Sequence, residues 1–334
     1  MSYIRSSLAN GVGEIVLDRP KALNALDQTM IDDMTDLLRR WADDDTVETV
    51  LVTSGSERAF CAGGDIRAIR DNALAADAAA ITKYFGSEYE LDQLVADFPK
   101  PYVSMINGAA MGGGLGISVH GEVRVVTEST MMAMPETAIG FFPDVGATYF
   151  LPRLPAGVGM WLGLTGSRIS GADAVAVGMA THFVPADDFG TVADRIRSGA
   201  PLPEVFGDLA APPSSDLRPS AIAEYFDDTS VAGVVGGLQG AVGDEWAQSM
   251  VTALRAASPT SLLVTAALIE AGERSTLAEC FERELHAAER ICATPDFAEG
   301  VRAVLVDKDR NPSFMPASLE DVDPHEVVRI VTGS

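Results

Sequence analysis

NGAAMGGGLG (107–116) directly follows YVSMI (102–106), a short apolar run bounded by a proline and an Asn-Gly pair, which reads as a β-strand. The triplet Gly112, Gly113 and Gly114 therefore stands where a strand hands over to a helix. The first N–H groups of a helix have no partner inside it, and negative charge is favoured beside them. With no side chains in the way, a polarised carbonyl or an anion could approach these donors closely. The segment is not a dinucleotide fingerprint, because G-x-G-x-x-G fails at Ile117, and no lysine follows to make a phosphate-binding P-loop. Close packing of the helix on a neighbouring strand is the competing reading for the same glycines.

Two more segments carry the same mixture of glycine and potential chemistry. AFCAGGDI (59–66) follows a strand expected over 47–53, and its paired Gly63 and Gly64 would again bare backbone N–H groups. Taken alone, the pair reads first as a plain tight turn. MPETAIGFFPDVGATY (134–149) sets Glu136 and Asp144 in an apolar, glycine-punctuated setting. Carboxylates in such surroundings have raised pKa values and suit acid–base work, although on count alone, among 48 acidic residues, each would be a solvated surface acid.

Around these segments the first half alternates strands with helices. Runs at 12–18 and 47–53 flank a helix whose apolar residues Met30, Ile31, Met34, Leu37, Leu38 and Trp41 recur at helical spacing behind the N-cap Asp27, a β-α-β unit. Further strands are expected at 102–106 and 123–127, giving an α/β protein with parallel sheet layers packed by helices. The stretch 198–219 is rich in Pro, Ala and Ser without an apolar period and reads as a linker or irregular insert. Helices are expected over 259–271 and 276–292, the second with a capping box at Thr276 and Glu279 and an apolar face of Leu277, Phe281, Leu285, Ala288 and Cys292. The expected organisation is thus a core over 1–197, an insert and connecting region over 198–257, and a helical region over 258–334.

Composition narrows the partners. A formal charge of −24 repels phosphate backbones and anionic headgroups, so neither nucleic acid nor membrane is an expected partner. No uncharged apolar run reaches the ~20 residues of a membrane span, and the N-terminus lacks a signal-like apolar block. The three scattered cysteines, Cys61, Cys280 and Cys292, argue against a disulfide framework and for a reducing compartment, here the cytoplasm. His120, His182, His286 and His325 show no metal-ligand spacing, so no metal is expected. Ser118 is no hydrolase elbow, since His120 stands where G-x-S-x-G needs its last glycine, and Cys61 has no nearby histidine in sequence to activate it.

Taken in order, the three segments resemble the crotonase superfamily. The resemblance implies a spiral of β-β-α units in place of a doubly wound sheet, and an acyl-CoA substrate whose thioester oxygen is held by two backbone N–H groups, here those of Gly64 and Gly113. Enoyl-CoA hydratases of that superfamily carry a glutamate two residues after the triplet and a second in a P-E motif. This chain has Gly116 at the first place and keeps Glu136 at the second. Adding water across a double bond needs both carboxylates, whereas thioester hydrolysis does not. The strings SVHGEVRVVTE (118–128), AMPETAIGFFPDVGATYFLPRL (133–154), LTGSRISGADAVAVGMATHFV (164–184) and DFAEGVRAVLVDKDRNPSF (296–314) are similar to the branch that hydrolyses 3-hydroxyisobutyryl-CoA in valine breakdown.

By that resemblance Glu136, Asp144, Gly64 and Gly113 are the catalytic set, and Glu88, Gly113, Glu136 and Asp144 bind substrate. Coenzyme A enters as part of the substrate, and no separate cofactor is implied. Members of the superfamily form trimers and larger assemblies through C-terminal helices that differ here, which leaves a homo-oligomer as an open expectation. Two alternatives stand beside hydrolysis: a hydratase or isomerase using Glu88 or Asp144 as its second carboxylate, and a non-catalytic acyl-CoA-binding protein.

Overall fold

The computed structural model describes residues 2–207, 209, 211–227 and 230–333. Asp208, Ala210, Asp228 and Thr229 of the expected insert and connecting region, and Met1 and Ser334 at the two ends, lie outside the described residues. The chain divides into two compact units, one of Met1–Gly64, Glu90–Ala133 and Arg168–Leu217, the other of Asp65–Tyr89, Met134–Ser167 and Arg218–Ser334.

The first unit holds the strands: β1 (Ile4–Ala9), β2 (Val12–Leu17), β3 (Thr49–Ser54), β4 (Ala59–Cys61), β5 (Tyr102–Ile106), β6 (Ala109–Met111), β7 (Val123–Val126), β8 (Met131–Ala133), β9 (Ile169–Ser170) and β10 (His182–Phe183). Among the described residues they form a six-stranded sheet, β1-β2-β3-β5-β7-β10, and a four-stranded sheet, β4-β6-β8-β9. Each turn of the chain lays one strand in the large sheet and the next in the small one, β3 then β4, β5 then β6, β7 then β8. The sheets grow in parallel, β3 on β5 on β7 and β4 on β6 on β8. That is the β-β-α spiral the resemblance implied. A doubly wound protein would place these strands in one sheet.

The first crossover obeys simple rules. α1 (Gln28–Ala42) begins where Asp27 accepts a hydrogen bond from the Met30 N–H at 2.9 Å, and the six apolar residues expected on its inner face are buried. β2 and β3 are parallel, and α1 lies in the crossover connection that a parallel pair needs. All five residues of β5 are buried, the near-continuous apolar pattern of a strand covered on both sides.

The described residues of 198–219 include a regular element that the composition does not suggest. A short helix, Leu202–Phe206, sends Val205 into the core formed by Val12, Leu51, Val103, Met105 and Val192, with Leu202, Phe206 and Leu209 packed against it. One helical turn is too short to register as a period.

The second unit is built of helices. α2 (Ile66–Leu74) belongs to it, as does the first part of α3 (Ala78–Ala96), up to Tyr89. Helices Pro259–Gly272 and Leu277–Ile291 lie where expected, and the Thr276–Glu279 capping box is present, with Thr276 N–H on Glu279 Oε2 at 2.8 Å and Glu279 N–H on Thr276 Oγ1 at 3.3 Å. The expected inner face of the second helix is off by part of a turn: Cys280, Phe281, Glu284, Ala287, Ala288 and Ile291 are buried, while Leu277 and Leu285 are only half-buried flanks. A glutamate therefore sits at the centre of that face. Helices Pro219–Phe226, Val231–Gly240 and Glu245–Ala256 fill the region expected as insert and connection.

Candidate active site

The first unit brings Gly64 and Gly113 onto neighbouring turns of the spiral. β4 and β6 are parallel neighbours, with Ala59 opposite Ala109 and Cys61 opposite Ala110; Gly64 closes the turn after β4, bridged to Leu26, and Gly113 opens the helix after β6. That helix, α4 (Gly113–Val119), packs so tightly on β4 that a Cβ at Gly114 would lie 2.2 Å from the Cys61 carbonyl oxygen. The triplet combines close packing with a helix start. Gly114 allows the close packing, and Gly113 sits at the first helical position, where its N–H has no partner within the helix. Ser118 is structural, its hydroxyl donating to the Gly114 carbonyl at 2.7 Å, and Cys61 is a buried packing residue outside any disulfide.

Gly116 is also explained. A Cβ there would lie 2.5 Å from Asp92 Oδ2 and 2.7 Å from Oδ1, so the buried Asp92 carboxylate of α3 occupies the room a side chain on α4 would need. No glutamate fits at 116 while Asp92 stays in place.

The second unit brings Glu88, Glu136 and Asp144 together. Glu88 sits on α3 beside Tyr89, Glu136 opens the single turn Glu136–Ile139 behind Pro135, and Asp144 precedes the helix Ala147–Phe150. Their exposures are 3%, 8% and 5%, so none is the surface acid that their number in the chain would suggest. Asp144 Oδ2 accepts the Tyr89 hydroxyl at 2.8 Å, whereas Glu136 Oε2 and Glu88 Oε1 have no hydrogen-bond partner among the described residues. Stacked rings wall the cluster: Phe85 on Phe141, Phe141 on Phe142, and Tyr89 on Phe281. Unpartnered oxygens in such a setting are costly, and sites that bind or react with substrate are where they persist.

Burial governs the electrostatics. It pushes Asp144 up to about 7 even though Tyr89 donates to it, and it pushes Glu136 and Glu88 well above the ordinary glutamate value, with Asp144 adding like-charge repulsion to both. Sequence reasoning missed a fourth carboxyl, Glu284, fully buried and raised to about 8, chiefly by burial. Its place in an otherwise apolar helical face was the signal that could have found it.

These shifts fix a direction for stability against pH. A carboxyl whose folded-state pKa lies above its ordinary value holds its proton more tightly when folded, so the stability it contributes is complete below the ordinary value and is lost as pH rises through the folded one. For Asp144, from 3.8 to about 7, and Glu284, from 4.5 to about 8, that loss spans roughly pH 4 to 8. Thermal unfolding should therefore show a Tm several degrees lower at pH 8 than at pH 6, and Asp144→Asn should shrink the difference. A wild-type Tm that is flat or rising over that interval contradicts the assignment.

The enoyl-CoA hydratase/isomerase family pattern matches residues 12–331. Over 93% of this chain and 84% of its own length, the mitochondrial 3-hydroxyisobutyryl-CoA hydrolase of Danio rerio is 41% identical. That of Dictyostelium discoideum is 40% identical over 93% and 86%, and 3-hydroxyisobutyryl-CoA hydrolase 1 of Arabidopsis thaliana is 39% identical over 92% and 85%. Among solved structures, a carnitinyl-CoA dehydratase from Mycobacterium thermoresistibile superposes with a TM-score of 0.93 at 36% identity, covering 99% of this chain and 97% of that one. An enoyl-CoA hydratase from Rhodobacter sphaeroides gives 0.90 at 35% with the same coverage.

Proposed function

The chain belongs to the enoyl-CoA hydratase/isomerase family, the crotonase family, and from that premise we propose that it hydrolyses 3-hydroxyisobutyryl-CoA to the free acid and coenzyme A. The observation that carries the reading is Glu136, buried, raised in pKa and with one oxygen unpartnered among the described residues, in a chain that has Gly116, packed against the Asp92 carboxylate, where a second glutamate would stand.

The thioester oxygen accepts hydrogen bonds from the N–H groups of Gly64 and Gly113, which strengthen as negative charge develops on it. Glu136 supplies the attack, either taking a proton from the water whose oxygen bonds to the carbonyl carbon, or bonding to that carbon itself to give an anhydride that water then opens. The carbon–sulfur bond breaks and the thiolate leaves. With a conjugate-acid pKa near the ~8.5 of an alkyl thiol, it needs little help from a general acid. Coenzyme A enters as part of the substrate, and no other cofactor takes part.

Asp144 and Glu88 are left to orient the acyl group, and the 3-hydroxyl is the partner chemistry offers a buried carboxyl. Leaving such a group unpaired is penalised, so wild type should prefer 3-hydroxyisobutyryl-CoA over isobutyryl-CoA, by roughly tenfold or more, and Asp144→Asn should narrow the gap. Equal kcat/KM for the two thioesters in wild type would remove the hydroxyl-recognition role.

A hydratase reading draws on the names of the two solved neighbours. It would require Asp144 or Glu88 to serve as the second carboxylate, because Gly116 supplies none. The physiological setting we assign is valine breakdown. The named vertebrate and Dictyostelium relatives are mitochondrial by name, and the cytoplasm read from the cysteines remains our proposal for this chain.

A further inference from the structure

We propose that Glu284 is a positioning residue for the reaction: from the helix Leu277–Ile291 it clamps the turn 144–148 and thereby sets where the Asp144 carboxyl points. Its Oε2 accepts the Gly146 N–H at 2.8 Å, and its Oε1 accepts both the Thr148 N–H at 3.1 Å and the Thr148 hydroxyl at 2.6 Å. Three donors from one five-residue turn thus converge on one side chain 136–138 residues away in sequence.

The turn needs such a clamp. Val145 has φ +55°, a left-handed conformation that is a genuine outlier for a β-branched residue, and Gly146 follows at +78°. Two successive left-handed residues reverse the chain immediately after Asp144, so the direction of its side chain depends on the turn being held. Backbone strain of this kind persists only where surrounding structure over-determines it. Glu284 supplies that constraint from the C-terminal side of the turn, and the Tyr89 hydroxyl fixes Asp144 itself at 2.8 Å. A solvent-accessible glutamate could not do this work. Glu284 is fully buried, so its bonds to the turn are shielded from competition by bulk solvent.

The inference rests on the reading above that Asp144 acts on the substrate, and the test separates the two. Glu284→Gln keeps the volume but turns an NH₂ group toward one of the N–H donors. Steady-state kcat and KM for 3-hydroxyisobutyryl-CoA and isobutyryl-CoA are measured for wild type, Glu284→Gln, Asp144→Asn and the double variant, each checked for folding by circular dichroism. Glu284→Gln is expected to repeat the pattern of Asp144→Asn across the two substrates, whichever parameters that variant moves, with a loss in the 3-hydroxyacyl preference of roughly tenfold. The double variant should be no worse than Asp144→Asn alone, because both changes act on one group.

A Glu284→Gln enzyme whose kcat and KM pattern across the two substrates differs from that of Asp144→Asn, or whose effect adds in full to that of Asp144→Asn, overturns the proposal. Absence of any preference in wild type would instead sink the hydroxyl-recognition reading, while the comparison of the two variants' patterns still decides the role of Glu284. Should Glu284→Gln fail to fold, Thr148→Val carries the same test. It deletes the hydroxyl that donates to Glu284 and also meets the Cys280 thiol, is expected to lower the preference about threefold, and overturns the proposal if the preference is unchanged.

Discussion

Glu136→Gln is expected to lower thiol release from 3-hydroxyisobutyryl-CoA by roughly 10²–10⁴, the usual worth of a positioned base. The substitution keeps the volume while removing both basicity and nucleophilicity, so it strikes the general-base and the anhydride route alike. Because Glu136 Oε2 has no hydrogen-bond partner among the described residues, the change disrupts none of their hydrogen bonds at that atom, and the loss is chemical in origin. Affinity for coenzyme A, measured by calorimetry on the folded variant, should be nearly unchanged. The raised pKa of Glu136 adds a pH signature: kcat/KM of wild type should climb with pH through an apparent pKa above that of an ordinary glutamate, a value that belongs to the interacting set Glu136, Asp144 and Glu88 and to no single member. Full activity in a folded Glu136→Gln enzyme would remove Glu136 from the chemistry.

The second large effect is expected at Gly113. Replacement by Pro deletes one N–H and nothing else that the reaction uses, and loss of one oxyanion donor costs on the order of 10²–10³ in turnover. Proline suits this position better than most, since Gly113 is the first residue of α4 and a missing N–H there breaks no bond within the helix. The site is buried, so circular dichroism and thermal unfolding must accompany the kinetics. A folded Gly113→Pro enzyme with undiminished hydrolysis would mean that the thioester oxygen is held elsewhere.

Much of the framework was legible because it repeats at a period. α1 announced itself through six apolar residues at helical spacing behind Asp27, and β5 through five consecutive apolar or small residues. The small sheet was not legible from periodicity at all. β4, β6 and β8 have three residues each and β9 has two, too few for any alternation, and the resemblance of the glycine segments alone pointed to the second layer. The carboxylates show the same divide. Glu136 and Asp144 stood out by their apolar surroundings, whereas Glu284 was hidden inside a helix whose expected face, Leu277, Phe281, Leu285, Ala288 and Cys292, is buried at Phe281, Ala288 and Cys292 but not at the two leucines. Burial of that face at Cys280, Glu284 and Ile291 is set by what packs against the helix, which no local pattern encodes. Gly116 was read as a missing glutamate. The reason nothing replaces it, the Asp92 carboxylate 2.5 Å from a would-be Cβ, lies 24 residues upstream and depends on tertiary packing.

The account turns on hydrolysis in place of hydration, and one comparison on purified wild-type protein decides it: release of free thiol from 3-hydroxyisobutyryl-CoA set beside loss of the enoyl absorbance of crotonyl-CoA under the same conditions. With Glu136 present and Asp92 filling the space beside Gly116, thiol release should be fast and hydration of crotonyl-CoA slow or undetectable. If crotonyl-CoA is hydrated faster than thiol is released, the hydrolase assignment is wrong, and Asp144 or Glu88 is acting as the second carboxylate of a hydratase.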